Sequence, residues 1–102
     1  MYAIIRRYQT EHARAIARKL QNELLPLLHS APGFIAYYVV DEGNGVQSSV
    51  SIFEDSEAAE YSNRLAAAWV REHPMFIEEP PDIASGEVLL HTTAEDPQLA
   101  YG

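Results

Sequence analysis

The stretch from Pro32 to Pro74 constrains the fold more than any other part of the chain. It holds two β-forming runs separated by a glycine-bracketed reversal, and the second run passes directly into an amphipathic helix. Phe34 to Val40 is β-branched and aromatic almost throughout, which suits a pleated, packed surface. Val46 to Phe53 alternates. Between them Asp41-Glu42-Gly43-Asn44-Gly45 supplies residues that tolerate the positive φ of a reversal. Two registers are open. A five-residue loop pairs Val40 with Val46; a tight turn on Asn44-Gly45 slips the register and changes the partners. In the first, Phe34, Ala36, Tyr38 and Val40 share a face with Val46, Ser48, Val50 and Ile52. This mostly apolar face is expected to lie against helices. Ile35, Tyr37 and Val39 share the other with Gln47, Ser49, Ser51 and Phe53, a mixture that suits a pocket lining or a partly wet interface.

The flanking segments complete an alternating pattern. Tyr2 to Gln9 reads as a strand with Tyr2, Ile4, Arg6 and Tyr8 on one face, and either Arg6 or Arg7 turned toward a covered side. From Glu11 the residues Ala13, Ile16, Ala17, Leu20, Leu24, Leu27 and Leu28 recur at helical spacing, with Thr10 as a cap. Pro26 is expected to end or kink that helix near Leu25. After Phe53, Asp55 or Ser56 caps a second helix whose stripe is Ala58, Tyr61, Leu65, Ala68 and Trp69, and Pro74 stops it. Met75 to Ser85 reads as an acidic, proline-rich loop with an apolar knot at Met75, Phe76 and Ile77. Glu87 to Thr92 reads as the last strand, and residues 93–102 as a tail anchored by Leu99 and Tyr101.

The order β-α-β-β-α-β is the ferredoxin-like arrangement: one α+β domain over residues 1–102, an antiparallel sheet with both helices on one face. The other sheet face then lacks a cover. In one register it carries Ile35, Tyr37, Val39 and Phe53, whose burial is worth on the order of 6–12 kcal/mol at about 1.5–3 each. That is comparable to the stability of a whole small domain. The expectation is a homodimer with two sheets face to face.

Composition closes several routes. With 15 acidic against 7 basic residues the chain carries a net charge of −8, which argues against nucleic acid and anionic membranes as partners. It contains no cysteine, so thiolate catalysis and Cys-ligated metals are closed to it. Its longest apolar run is far too short to span a bilayer, and the expected location is the cytoplasm. Four scattered histidines without sequence-adjacent acids argue against a metal, and no phosphate-binding or nucleophile-elbow motif is present.

Pro32-Gly33-Phe34-x-x-Tyr37, a strand ending at Phe53, and the junction Glu54-Asp55-Ser56-Glu57-Ala58 resemble the antibiotic biosynthesis monooxygenase superfamily of dimeric α+β barrels. The resemblance covers roughly Met1 to Leu90. It implies a homodimer and, for the cofactor-free oxygenases of that superfamily, binding of a small quinol- or anthrone-like aromatic that is deprotonated and reacts directly with dioxygen. Carried onto this chain, the implied site residues are Tyr37, Asn63, Trp69 and Arg6, with no cofactor. His91, in phase with Glu87 and Leu89 on the expected last strand, is a further candidate as a base facing a cavity. Asn63 and Trp69 are six residues apart, about 120° around a helix, so a shared pocket is not required by their spacing. A haem-degrading enzyme is a minor alternative, resting on Trp69 and His73 at i and i+4. A non-catalytic binding or scaffold protein on the same fold is the main one; the region after Ala58 reads Tyr61-Ser62-Asn63, without the histidine many relatives carry there.

Overall fold

The computed structural model describes residues 1–75 and 79–95. Phe76 and Ile77 of the expected apolar knot, and Leu99 and Tyr101 of the tail, lie outside the described residues. Strand β1 (Tyr2–Gln9) leads through helix α1 (Ala13–Lys19), a π-helical turn (Leu20–Leu24) and helix α2 (Leu25–Ser30) to strands β2 (Phe34–Gly43) and β3 (Val46–Phe53). Helix α3 (Ser56–Glu72) and strand β4 (Asp82–Glu87) follow. The four strands form one antiparallel sheet in the order β2-β3-β1-β4. This is the ferredoxin-like α+β fold.

Pro26 does not end the first helix. The N–H of Leu25 bonds back to Leu20 O, five residues away, and Pro26 falls in the first turn of α2. A widened turn just ahead of the proline relieves the clash its ring would make with a carbonyl four residues back, and the missing N–H falls where the hydrogen-bond register is already shifting. Termination comes at Ser30, with Ala31 extended before Pro32.

The hairpin takes the tighter of the two open registers. Gly43 pairs with Val46 across Asn44-Gly45, both at positive φ, 54° and 78°. Bulges at Ile35 and Glu42 absorb the difference. The two face groupings survive this shift of two, apart from Phe34, which the bulge brings opposite Phe53, but their roles are reversed. Gln47, Ser49, Ser51 and Phe53 are buried under the helices, with Tyr37 and Val39 packed against the same core. Tyr38 and Val40 are exposed on the open side. The helices explain the reversal. Ile16, Leu20, Leu24, Leu28 and Trp69 bring the bulk, so small serines beneath them leave room that larger residues would overfill. Accordingly Tyr37, Val39 and Phe53 are not on the open face, and Ile35 lies at a bulge.

Helix α3 starts as expected, the Asp55 carboxylate accepting from Ala58 N at 2.8 Å. Its buried stripe is rotated from the expected one. Ala59, Ser62, Ala66 and Trp69 face the core, while Tyr61 is exposed; small residues at helical spacing let the helix approach the sheet closely. The last strand is also displaced. Residues 82–87, of which 82–85 belong to the expected loop and only Glu87 to the expected strand, pair with β1 from Arg7↔Asp82 to Tyr2↔Glu87. Leu89 and Leu90 lie past the strand and are almost fully exposed. The aliphatic run had the stronger β propensity, but the edge position in the sheet goes to the short, small-residue segment DIASGE.

Gly33 shows why Pro-Gly opens the second strand. Its φ is +79°, and an added Cβ would lie 2.8 Å from the Ala58 Cβ at the start of α3. Its carbonyl accepts from Glu54 N at 2.8 Å, tying the entry of β2 to the exit of β3. Gly33→Ala is expected to lower unfolding stability by about 2–3 kcal/mol, combining left-handed backbone strain with the clash. Urea unfolding monitored by circular dichroism checks it; a midpoint within error of wild type would show that the junction relaxes freely.

Candidate active site

Alternation along β1 sends Arg6 and Tyr8 to the helix side and Arg7 to the open side, where Arg7 pairs with Glu42 at 3.1 Å. Register places Ser49 directly across from Arg6, and β2 brings in Tyr37 beside Ser49. From above, Leu20 and Leu24 of the π turn and Ala66, Trp69 and Val70 of α3 close over them. Together with Arg6, Tyr8, Tyr37 and Ser49 they line a small, partly open inner cavity of about 20 Å³, room for about one water.

Arg6 is the dominant feature. It is 6% exposed, yet its partners are neutral. A terminal guanidinium nitrogen donates to the side-chain oxygen of Asn63 and, at 3.2 Å, to the Asn63 carbonyl. Among the described residues no carboxylate lies within ion-pairing distance of it. Burial lowers its pKa, while the neighbouring Tyr37 and Tyr8 hydroxyls raise it. The two tyrosines are pushed the other way. Burial raises Tyr37 well above an ordinary phenol, with the hydrogen bond to Ser49 and the charge of Arg6 pulling it back. Burial and Tyr37 raise Tyr8 strongly, with Arg6 opposing. Both therefore stay protonated across the neutral range, able to donate hydrogen bonds but unsuited to act as bases.

Trp69 lends the cavity its ring but not its donor. The indole N–H points to Glu23 Oε1 at 3.2 Å, and the ring stacks on His73 at 4.1 Å between centroids. Both His73 nitrogens are engaged, Nδ1 with Trp69 O at 2.8 Å and Nε2 with Glu23 at 3.1 Å, so the ring is not presented as an axial haem ligand. Glu23 also meets Lys19 at 3.2 Å. Lys19, then Trp69 and His73, holds the Glu23 carboxyl below its usual range. The chain has one tryptophan, so its emission reports this clamp. Glu23→Ala is expected to move the emission to longer wavelength as the indole loosens. Because the folded-state pKa is depressed, wild type keeps the clamp above the ordinary glutamate pKa of about 4.3 and loses it only as pH falls through the lower folded value. An unchanged spectrum in the variant would show that packing alone holds the ring.

Of the five residues singled out from sequence, Arg6, Tyr37 and Trp69 line one cavity and Asn63 joins them through Arg6. The 120° between Asn63 and Trp69 is bridged because Arg6 is long enough to meet Asn63 while Trp69 covers the other end. His91 is not part of the site. It lies in exposed coil beyond β4 rather than mid-strand. Tyr8, Ser49, Val70 and Glu23 were not among the candidates. Tyr8 was within reach of strand parity with Arg6; Ser49 required the true register, and Glu23 the π turn. Among the described residues no three His, Asp or Glu groups come together to hold a metal, and no helix is long and apolar enough to cross a membrane.

A second hollow adjoins the first. A groove of about 330 Å³ runs between the end of α3 and β4, lined by Arg6, Ala67, Val70, Arg71, Pro74, Glu79, Pro80, Pro81 and Ile83. Arg6 and Val70 belong to both hollows.

No protein-family model and no functionally curated protein matches the chain. Solved structures match over most of its length. A protein of unknown function from Nitrosomonas europaea aligns at 20% identity and TM-score 0.73, covering 90% of this chain and 92% of that one. The monooxygenase of the gene ActVA-Orf6 from Streptomyces coelicolor, in complex with nanaomycin D, aligns at 13% identity and TM-score 0.68, covering 88% and 92%. A structure described as an antibiotic biosynthesis monooxygenase aligns at 18% identity and TM-score 0.63, covering 88% and 100%. The fold is thus the one these proteins, two of them described as monooxygenases, share, as the motifs around Gly33 and Asp55 led us to expect.

Proposed function

We propose that this protein is a cytoplasmic, homodimeric α+β barrel that binds a small quinol- or anthrone-like aromatic and oxidises it with dioxygen, using no cofactor. The observation that carries the reading is Arg6, a buried cation whose partners among the described residues are all neutral. Such a charge is poorly compensated until an anion arrives, and the enolate or phenolate of an electron-rich aromatic is one. Its pKa falls beside the guanidinium, so the deprotonated form accumulates near neutrality. Tyr37 and Tyr8, held protonated, supply hydrogen bonds toward developing negative charge at Arg6. The anion passes one electron to dioxygen, the radical pair combines at carbon, and the peroxide loses water. For an anthrone the balance is one CH2 and one O2 giving one C=O and one H2O. The proton leaves to solvent, and solvent returns one to the peroxide before water is lost. The likeness in fold to a monooxygenase holding nanaomycin D supports the same reading.

The dimer is retained, with different residues from those first expected. The open face carries Ile5, Tyr38, Val40, Val50 and Ile52, an apolar patch of the kind that marks interfaces.

Dioxygen uptake by the purified protein with a panel of anthrones and quinols tests the chemistry. Uptake above the protein-free rate, cut about tenfold or more in Arg6→Gln, is expected. A binding or scaffold role has its own support in the small volume of the inner cavity. Binding of the panel without uptake would replace the oxygenase reading by that one.

A further inference from the structure

Resting on the reading above and extending it, we infer that the groove beside the inner cavity seats a planar aromatic acid, its ring against Val70, Pro80, Pro81 and Ile83 and its acid group on Arg6. Volume makes the first case. The inner cavity has room for a water and no organic molecule, so the body of any ligand that reaches Arg6 must lie elsewhere. The groove next to it shares Arg6 with it and is large enough for a ring.

The lining makes the second. Pro74, Pro80 and Pro81 have no backbone N–H, so this wall offers apolar surface with few donors. Ile83 pairs with Arg6 across the sheet and lies on its helix-side face, yet it is 51% exposed, because α3 stops short of covering β4. A flat ring laid over Ile83 would bury it. Charge makes the third. Arg71 and Glu79 at the rim are of opposite sign, so they give no preference between anion and cation. Arg6, buried and without a carboxylate partner among the described residues, does. Val70 stands between the two hollows, and its bulk sets how far a ring passes toward Tyr37 and Trp69.

Trp69 lines the inner cavity and is the sole tryptophan, so its quenching by 3-hydroxy-2-naphthoate, which absorbs where indole emits, reads occupancy. Saturable quenching at one probe per chain is expected, with the acid bound about tenfold or more tighter than its neutral methyl ester. Arg6→Gln should remove that preference. Ile83→Glu, at a half-exposed position on the edge strand, and Val70→Phe, each checked for folding by circular dichroism, should weaken the acid about tenfold or more. Equal binding of acid and ester, or acid binding unchanged in both Ile83→Glu and Val70→Phe, would overturn the inference. The two readings fail separately. Probe binding with these mutational effects but no quinol-dependent dioxygen uptake would sustain the groove and end the oxygenase proposal. Uptake whose KM is unchanged in Ile83→Glu would sustain the oxygenase and end the groove.

Discussion

Arg6→Met is expected to leave the protein at least as stable as wild type while weakening its hold on an anionic aromatic by about 10–100-fold. The two effects have opposite origins. In the free protein the guanidinium is removed from water by β1, β3 and the helices, and among the described residues it meets the side chain and carbonyl of Asn63 and the phenols of Tyr8 and Tyr37. Replacing a poorly compensated buried charge by an apolar side chain of similar length is often neutral or stabilising, by about 1–4 kcal/mol in favourable cases. Against this stands the loss of the bonds to Asn63, about 1.5–3 kcal/mol for a charged donor. Asn63 is only half-buried, so its freed oxygen turns to water. The terms nearly cancel, and an unfolding free energy unchanged or raised by about 1 kcal/mol is expected. Binding has no such compensation: a charge-assisted bond to the ligand disappears, and each 1.4 kcal/mol is tenfold. Urea unfolding and Trp69 quenching, run on the same samples, separate the two. A fall of more than about 2 kcal/mol in stability, with ligand binding intact, would make Arg6 a structural tie between β1 and α3 and remove the basis for the proposed chemistry.

The same side chain shows how far the site was legible before the fold was known. Parity along Tyr2–Gln9 required that either Arg6 or Arg7 be covered, and aromatic and amide candidates on β2 and α3 were in view; the structure draws Arg6, Tyr37, Asn63 and Trp69 together. What parity could not tell was which sheet face meets the helices. Hydrophobicity marks a surface as buried without saying by what. The Tyr38–Val50–Ile52 face is apolar but left open by the helices, whereas the Ser49–Ser51 face is buried because large helical residues fill the space above it. The hairpin register hinged on two bulges, at Ile35 and Glu42, that no local pattern announced. Pro26 and β4 failed for a related reason. The helix survives its proline through a π turn, and DIASGE becomes a strand because β1 has a free edge there. Both are tertiary settlements that override local propensity. His91 was misplaced as a direct consequence of the β4 error, since its inward orientation depended on a strand that ends at Glu87.

Val50→Lys is expected to turn a dimer into a folded monomer. Register lines up Tyr38, Val50, Ile5 and Ala84 in one row across all four strands, with Ala36, Ile52, Ala3 and Gly86 in the next. Polar side chains begin only at the row of Ser48, Arg7 and Asp82. Two apolar rows over the middle of the sheet make a surface that water covers poorly and that a second copy, turned face to face, covers well. Removing Tyr38, Val50, Ile5 and Ile52 from water in each protomer is worth on the order of 6–12 kcal/mol at about 1.5–3 per side chain, an upper bound because β3 side chains are already half-buried. Counted over both protomers, it exceeds the lower part of the roughly 4–15 kcal/mol that association consumes, enough for a micromolar or tighter dimer. Position 50 lies near the centre of that surface, on the inner strand β3. An ammonium there would be desolvated in both copies at several kcal/mol each, and the dissociation constant should rise about a thousandfold or more. The protomer should be spared, because the Val50 side chain points away from the helices and contributes to neither core cluster. Sedimentation velocity at micromolar concentration, with circular dichroism to confirm that the variant is folded, makes the measurement. A wild-type protein that sediments as a compact monomer would remove the dimer, and the open face would then need another cover.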